Sequence, residues 1–149
     1  MNLFLTSTRI FLIISRSLTK AYYEGYRLSS KELAQLYNMN PRALIPMLNR
    51  LTRMGYLQSK VGGKNPGHIF IKDPKEISVG EVILALEGRL EMIGCDTVLG
   101  GEVAGCTAEN RCTFCKRVAH YIELGRKEWH ATSLYQLYQD SLPEAEKDK

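Results

Sequence analysis

The sequence predicts a mainly α protein: a winged helix-turn-helix domain, then a cysteine-bearing loop, then a long C-terminal helix. Three observations lead there. Two short helical stretches with marked ends flank a turn at Asn38–Met39–Asn40. A glycine-rich hairpin follows directly, around Val61 to Gly67. The charge is split along the chain: residues 1–75 hold 12 Lys+Arg against 3 Asp+Glu, and residues 76–149 hold 8 against 13. Such asymmetry points to a polyanion-binding front half and a different task behind it.

The first expected helix covers residues 8–23, with Phe11, Ile14, Leu18 and Tyr22 on one stripe and Gly25 after it. Its apolar character raises the question of a membrane span. Arg9 and Arg16 interrupt it, and the unbroken apolar run is only Ile10 to Ile14. That is too short to cross a bilayer, and no small-residue cleavage site follows, so a cytoplasmic protein with no membrane partner is expected.

The second helix starts at Ser29. Ser29 and Glu32 have capping-box spacing, in which the hydroxyl accepts a free backbone N–H and the carboxylate reaches back. Leu33, Ala34 and Leu36 are its expected apolar face. In the third helix Asn40 is the expected N-cap, Pro41 suits the first position, and Gly55 follows the end. Here Leu44, Leu48 and Leu51 should face the core. The outward face then holds Arg42, Pro46, Asn49 and Arg53, with Ile45 beside them, and its two arginines and asparagine suit a helix lying in a DNA major groove. Pro46 should kink this helix or tighten its first turn. Residues 56–60 and 68–71 are the expected strands of the wing, with Lys60 and Lys64 placed to meet phosphates.

Ser78 and Glu81 form another capping box, which starts a helix over residues 79–87 with Gly88 at its end. The expected organisation is therefore a DNA-binding domain at 1–88, a cysteine loop at 89–112, helices at 113–142 and a charged, frayed tail at 143–149. The long helix covers residues 113–130 and a shorter one residues 134–140.

All four cysteines fall between Cys95 and Cys115, spaced Cys95-x10-Cys106-x5-Cys112-x2-Cys115. A tight cluster in a chain where no leader is expected favours metal or redox chemistry over a disulfide framework. Thiolates suit both iron–sulfur clusters and zinc, and the spacing alone does not choose between them. Gly94, Gly100, Gly101 and Gly105 would let the loop wrap a compact cofactor. Free thiols, or a reversible Cys112–Cys115 disulfide, are the alternatives. His120 is a possible further ligand, though an ordinary surface histidine fits the position better. A dithiol oxidoreductase using Cys112 and Cys115 lacks the βαβ context it would need, so no enzyme is expected.

Several stretches together resemble the Rrf2 family of bacterial iron–sulfur regulators typified by IscR and NsrR. They are Leu5-Thr6-Ser7; Leu48, Leu51, Gly55, Tyr56, Leu57 and Ser59 in their spacing; the glycine wing; and Ile77 through Ile83. The likeness covers roughly residues 3–140. It implies a homodimeric, DNA-binding transcription regulator, such as a repressor, acting on a pseudo-palindromic operator, with the long helix as dimerisation helix. Val118, Ile122 and Trp129 are candidate dimer or core contacts. It also implies a 2Fe-2S or 4Fe-4S cluster sensing redox state, nitric oxide or iron–sulfur status. Cys95, Cys106 and Cys112 match its cysteine ligands. Cys115 stands where IscR-like members place a histidine, and Ile10 where nitric oxide sensors place an aspartate. Pro66-Gly67-His68 in the wing, and Arg42, Ile45 and Pro46 in the reading helix, also depart from the family pattern.

Overall fold

The computed structural model describes residues 4–88 and 111–147. Cys95, Cys106 and the four loop glycines lie outside the described residues.

Helix α1 (Thr6–Glu24) begins two residues earlier than its periodicity suggests. Leu5, at its N-cap, has no capping side chain, and its N–H donates instead to Glu87 Oε1 at 2.5 Å. A carboxylate distant in sequence thus does what a local cap usually does. Phe11, Ile14, Leu18 and Ala21 are fully buried. The helix stops at Gly25, whose φ of 79° is left-handed; the N–H groups of Gly25 and Tyr26 both return to Ala21 O.

Helices α2 (Ser30–Leu36) and α3 (Pro41–Arg53) form the helix-turn-helix. The Ser29–Glu32 capping box is complete, with bonds of 3.1 and 3.3 Å. Asn38 takes φ 52° in the turn, a left-handed conformation that asparagine tolerates. Asn40 caps α3 through Arg42 N–H at 3.0 Å. Leu44, Leu48 and Leu51 are fully buried as expected, joined by Met47. Leu36 corrects the expectation for α2: it is 62% exposed, because Leu33 and Ala34 alone fill that face. Helix α3 runs through Pro46 without a break, and Ala43 N–H bonds Asn40 O, a tightened first turn.

Strands β1 (Leu57–Lys60) and β2 (Gly67–Phe70) pair antiparallel, with Leu57 opposite Phe70 and Lys60 opposite Gly67. The hairpin starts and ends one residue away from its expected limits. A bridge that no local pattern announces adds to this hairpin. Leu28 and His68 exchange two backbone hydrogen bonds of 3.0 and 2.7 Å, so the chain before α2 acts as a short third strand. Gly67 is required there: at φ 119° a Cβ would sit 2.5 Å from Leu28 carbonyl carbon.

Helix α4 (Val79–Glu87) carries the complete Ser78–Glu81 capping box. Val82 and Ile83 enter the same core as α1 and α3. Arg50 Nε of α3 donates to Ala85 O at 2.7 Å, fastening the helix-turn-helix to α4. Helix α5 (Thr113–Ala131) packs on α4, and α6 (Leu134–Asp140) packs on α1. Their junction is tied back through Val79 N–H to Thr132 O at 2.7 Å and Leu134 N–H to Ile77 O at 2.8 Å. Residues 143–147, expected to fray, include a 3-10 turn at Glu144–Glu146. Among the described residues, no helix is long and apolar enough to cross a membrane.

Candidate nucleic-acid interface and cysteine segment

The outward face of α3 follows from its inward one. With Leu44, Leu48 and Leu51 in the core, Arg42, Ile45, Pro46, Asn49 and Arg53 are all exposed. Ile45 is an apolar side chain left 42% exposed at the centre of this polar stripe. A groove of about 350 Å³ runs beside the stripe. Ile45 and Asn49 of α3, Lys60 and His68 of the wing, and Ser29 and Ser30 at the start of α2 all line it. The fold therefore brings Ile45, Asn49 and Lys60 together. Arg42, Pro46, Arg53 and Lys64 are exposed but do not line this groove.

Ser29, Ser30 and His68 join this surface although the sequence does not single them out for it. The capping box marks where α2 begins, but only the Leu28–His68 bridge places that start against the wing. The wing is braced from the same side: Arg27 N–H bonds Asn65 Oδ1 at 3.0 Å, and Arg27 Nη2 bonds Gln58 Oε1 at 2.8 Å. Arg50 differs from the other arginines of α3 because its Nε is committed to Ala85. Arg53 also sits in the last turn of α3, where a cation offsets the helix dipole.

Two of the four cysteines are described. Cys112 is the exposed N-cap of α5, and Cys115 is 4% exposed one turn along. No side-chain capping bond of normal geometry forms at Cys112. The N–H groups of Cys115 and Phe114 nevertheless face the sulfur and, with the nearby Lys116 charge, hold the Cys112 thiol below its ordinary value. The donor chemistry fits a thiolate ligand to a metal centre. His120 is exposed and lies five residues beyond Cys115, about 140° around the helix. It points away from the side on which Cys115 is buried. Among the described residues no three His, Cys, Asp or Glu side chains converge as a metal site.

The family model for Rrf2, described as iron-dependent transcriptional regulator, matches residues 6–140. Among curated proteins, the HTH-type transcriptional regulator NsrR of Shouchella clausii is 32% identical over 71 residues, 47% of each chain. NsrR of Halalkalibacterium halodurans is 33% identical over 67 residues, 45% of each chain. The matched stretch spans about half the length of these relatives. Among solved structures, CymR, the global cysteine regulator of B. subtilis, superposes with a TM-score of 0.77 at 20% identity, covering 95% of this chain and 100% of that one. IscR of T. potens gives 0.67 at 20% identity, covering 97% and 91%. These two show the winged-helix fold. The family and these relatives are transcriptional regulators rather than enzymes, and with a match from residue 6 to residue 140 this chain belongs to the Rrf2 family of transcriptional regulators.

Proposed function

We propose that this chain is a dimeric transcription regulator that reads double-stranded DNA with α3 and the wing, and senses its signal through the cysteine segment. The observation that carries the DNA reading is the two-faced α3. Its leucines are buried, and Arg42, Ile45, Pro46, Asn49 and Arg53 project outward beside a wing bearing Lys60 and Lys64. Residues near the start of α3 approach base edges, and Arg53, Lys60 and Lys64 meet phosphates. An operator selected from a random duplex library and read by fluorescence anisotropy tests this. Arg53→Ala or Lys64→Ala should weaken binding about tenfold and lower the salt slope by about 1. Unchanged affinity in both variants would refute the assignment.

The second copy is expected along α5. Phe114, Tyr121 and Leu124 are 71%, 58% and 50% exposed. With Arg117, Glu128 and Ala131 they make a heptad-like seam. Set antiparallel against itself, this seam places Arg117 against Glu128 of the other copy, Tyr121 against Leu124, and Phe114 against Ala131. The self-complementary charges favour a two-fold pair.

Cys95, Cys106, Cys112 and Cys115 are the residues to hold an iron–sulfur cluster. When bound, the cluster would supply a centre reactive to oxidants or nitric oxide. Cys112 brings a thiol already biased toward thiolate. The same low, exposed thiol also favours a second reading, a cluster-free thiol switch. Anaerobic purification separates the two. Visible absorption with stoichiometric iron and sulfide supports the cluster, and a colourless, iron-free protein with reversible Cys112 oxidation supports the switch. Stoichiometric zinc in colourless protein would mark a structural site instead.

A further inference from the structure

We propose that the groove between the middle of α1 and the end of α6 binds a small dipolar metabolite of amino-acid or short-peptide size. Arg16 and Lys20 would take its anionic end and Glu146 its cationic end. This site shares no residue with the α3–wing groove and does not depend on the DNA reading.

The groove encloses about 440 Å³, within the roughly 300–1,000 Å³ typical of small-molecule sites. Arg16 and Lys20 are one helical turn apart on α1 and both line it. Neither forms an ion pair among the described residues. Arg16 is oriented in advance. Its Nε donates to Tyr37 Oη at 3.1 Å, and its guanidinium lies 5.1 Å from the centre of that ring. Tyr37 is itself fixed by Ser17, whose Oγ is 2.6 Å from the same hydroxyl. The two terminal nitrogens of Arg16 remain as a fork for a carboxylate or phosphate.

The groove also carries the opposite sign. The turn at Glu144–Glu146 brings Glu146 to the groove. Lys147 does not neutralise it, being paired with Glu144 at 2.7 Å. Leu142 and Tyr138 add apolar surface to the lining. A carboxylate there disfavours a nucleic-acid backbone or a bare anion and favours a molecule with an ammonium or amide at its far end.

Isothermal titration calorimetry on the intact 149-residue chain tests this, with the common L-amino acids and di-alanine as dipolar probes. Inorganic phosphate and acetate serve as anion-only controls. At least one dipolar probe should bind saturably. Arg16→Met and Glu146→Gln should each weaken it by about tenfold or more. Lys20→Met supplies the same reading if Arg16→Met lowers the melting temperature. No saturable heat from any dipolar probe would overturn the proposal. So would phosphate binding as tightly as the dipolar probes with Glu146→Gln without effect, which would leave a simple anion site.

Discussion

Helices α1 and α5 are both 19 residues long, yet they live in opposite surroundings. Seven residues of α1 are buried, and α5 buries only Cys115. Helices in water owe most of their stability to a packed face rather than to intrinsic propensity. Helix α1 finds that face within its own chain, against α3, α4, α6 and the wing. Helix α5 rests on α4 along one edge and leaves Phe114, Tyr121 and Leu124 outside. The difference separates a head with its own core from an arm whose exposed face is the one proposed above to meet a second copy.

The largest effect should come from cutting into the head. Leu18→Ala removes a fully buried side chain from the centre of α1. It should cost about 2–5 kcal/mol of unfolding free energy in urea titrations. A loss under about 1 kcal/mol would mean that α1 is not the spine of the core. The matched experiment on the arm should leave the head folded. Tyr121→Asp with Leu124→Asp should dissociate the dimer, shifting its dissociation constant by about 30-fold or more in sedimentation equilibrium. An unchanged constant would take the second copy off this face.

A smaller effect sharpens the register of that pairing. Arg117→Glu and Glu128→Arg should each weaken the dimer by about 1 kcal/mol or less through like-charge contact, and the double reversal should restore it. Additive losses in the double variant would exclude the antiparallel alignment while leaving a dimer in some other register.

The same contrast between local and distant support decides which features are legible in the sequence. Local chemistry is legible. Both capping boxes, the Asn40–Pro41 start of α3, the left-handed stop at Gly25 and the buried leucines of α3 follow from spacing within a few residues. Features that depend on distant partners are not. Nothing near Leu5 signals that Glu87 caps α1, nothing near Leu28 announces its bridge to His68, and nothing near Glu146 places it in one groove with Arg16. Leu36 departs from its expected burial for the same reason: periodicity assigns a face, but only the neighbouring helices decide how wide the buried part is. In the site, the α3 face is legible because it is the complement of a core stripe. The groove formed with Ser29, Ser30 and His68 is hidden behind a two-bond bridge between residues forty apart in the chain.

The smallest expected effect is a pH dependence confined to the head. His68 lies half-buried in β2, and its Nδ1 has no hydrogen-bond partner among the described residues. Burial holds its pKa below the ordinary histidine value, and no neighbouring charge contributes. The unfolded chain therefore takes up this proton at higher pH than the folded one. The stability that neutral His68 permits is full above the ordinary histidine range and is lost as pH falls through the lowered folded value. Urea titrations at stepped pH from neutrality into mild acid should show wild-type stability declining, and His68→Asn should decline less steeply. The backbone bridge to Leu28 uses main-chain atoms and survives that substitution, so the slope reports the imidazole alone. Parallel curves for the two proteins would mean that the wing admits enough water to solvate an imidazolium, and that the head is less closely packed at its edge than at α1.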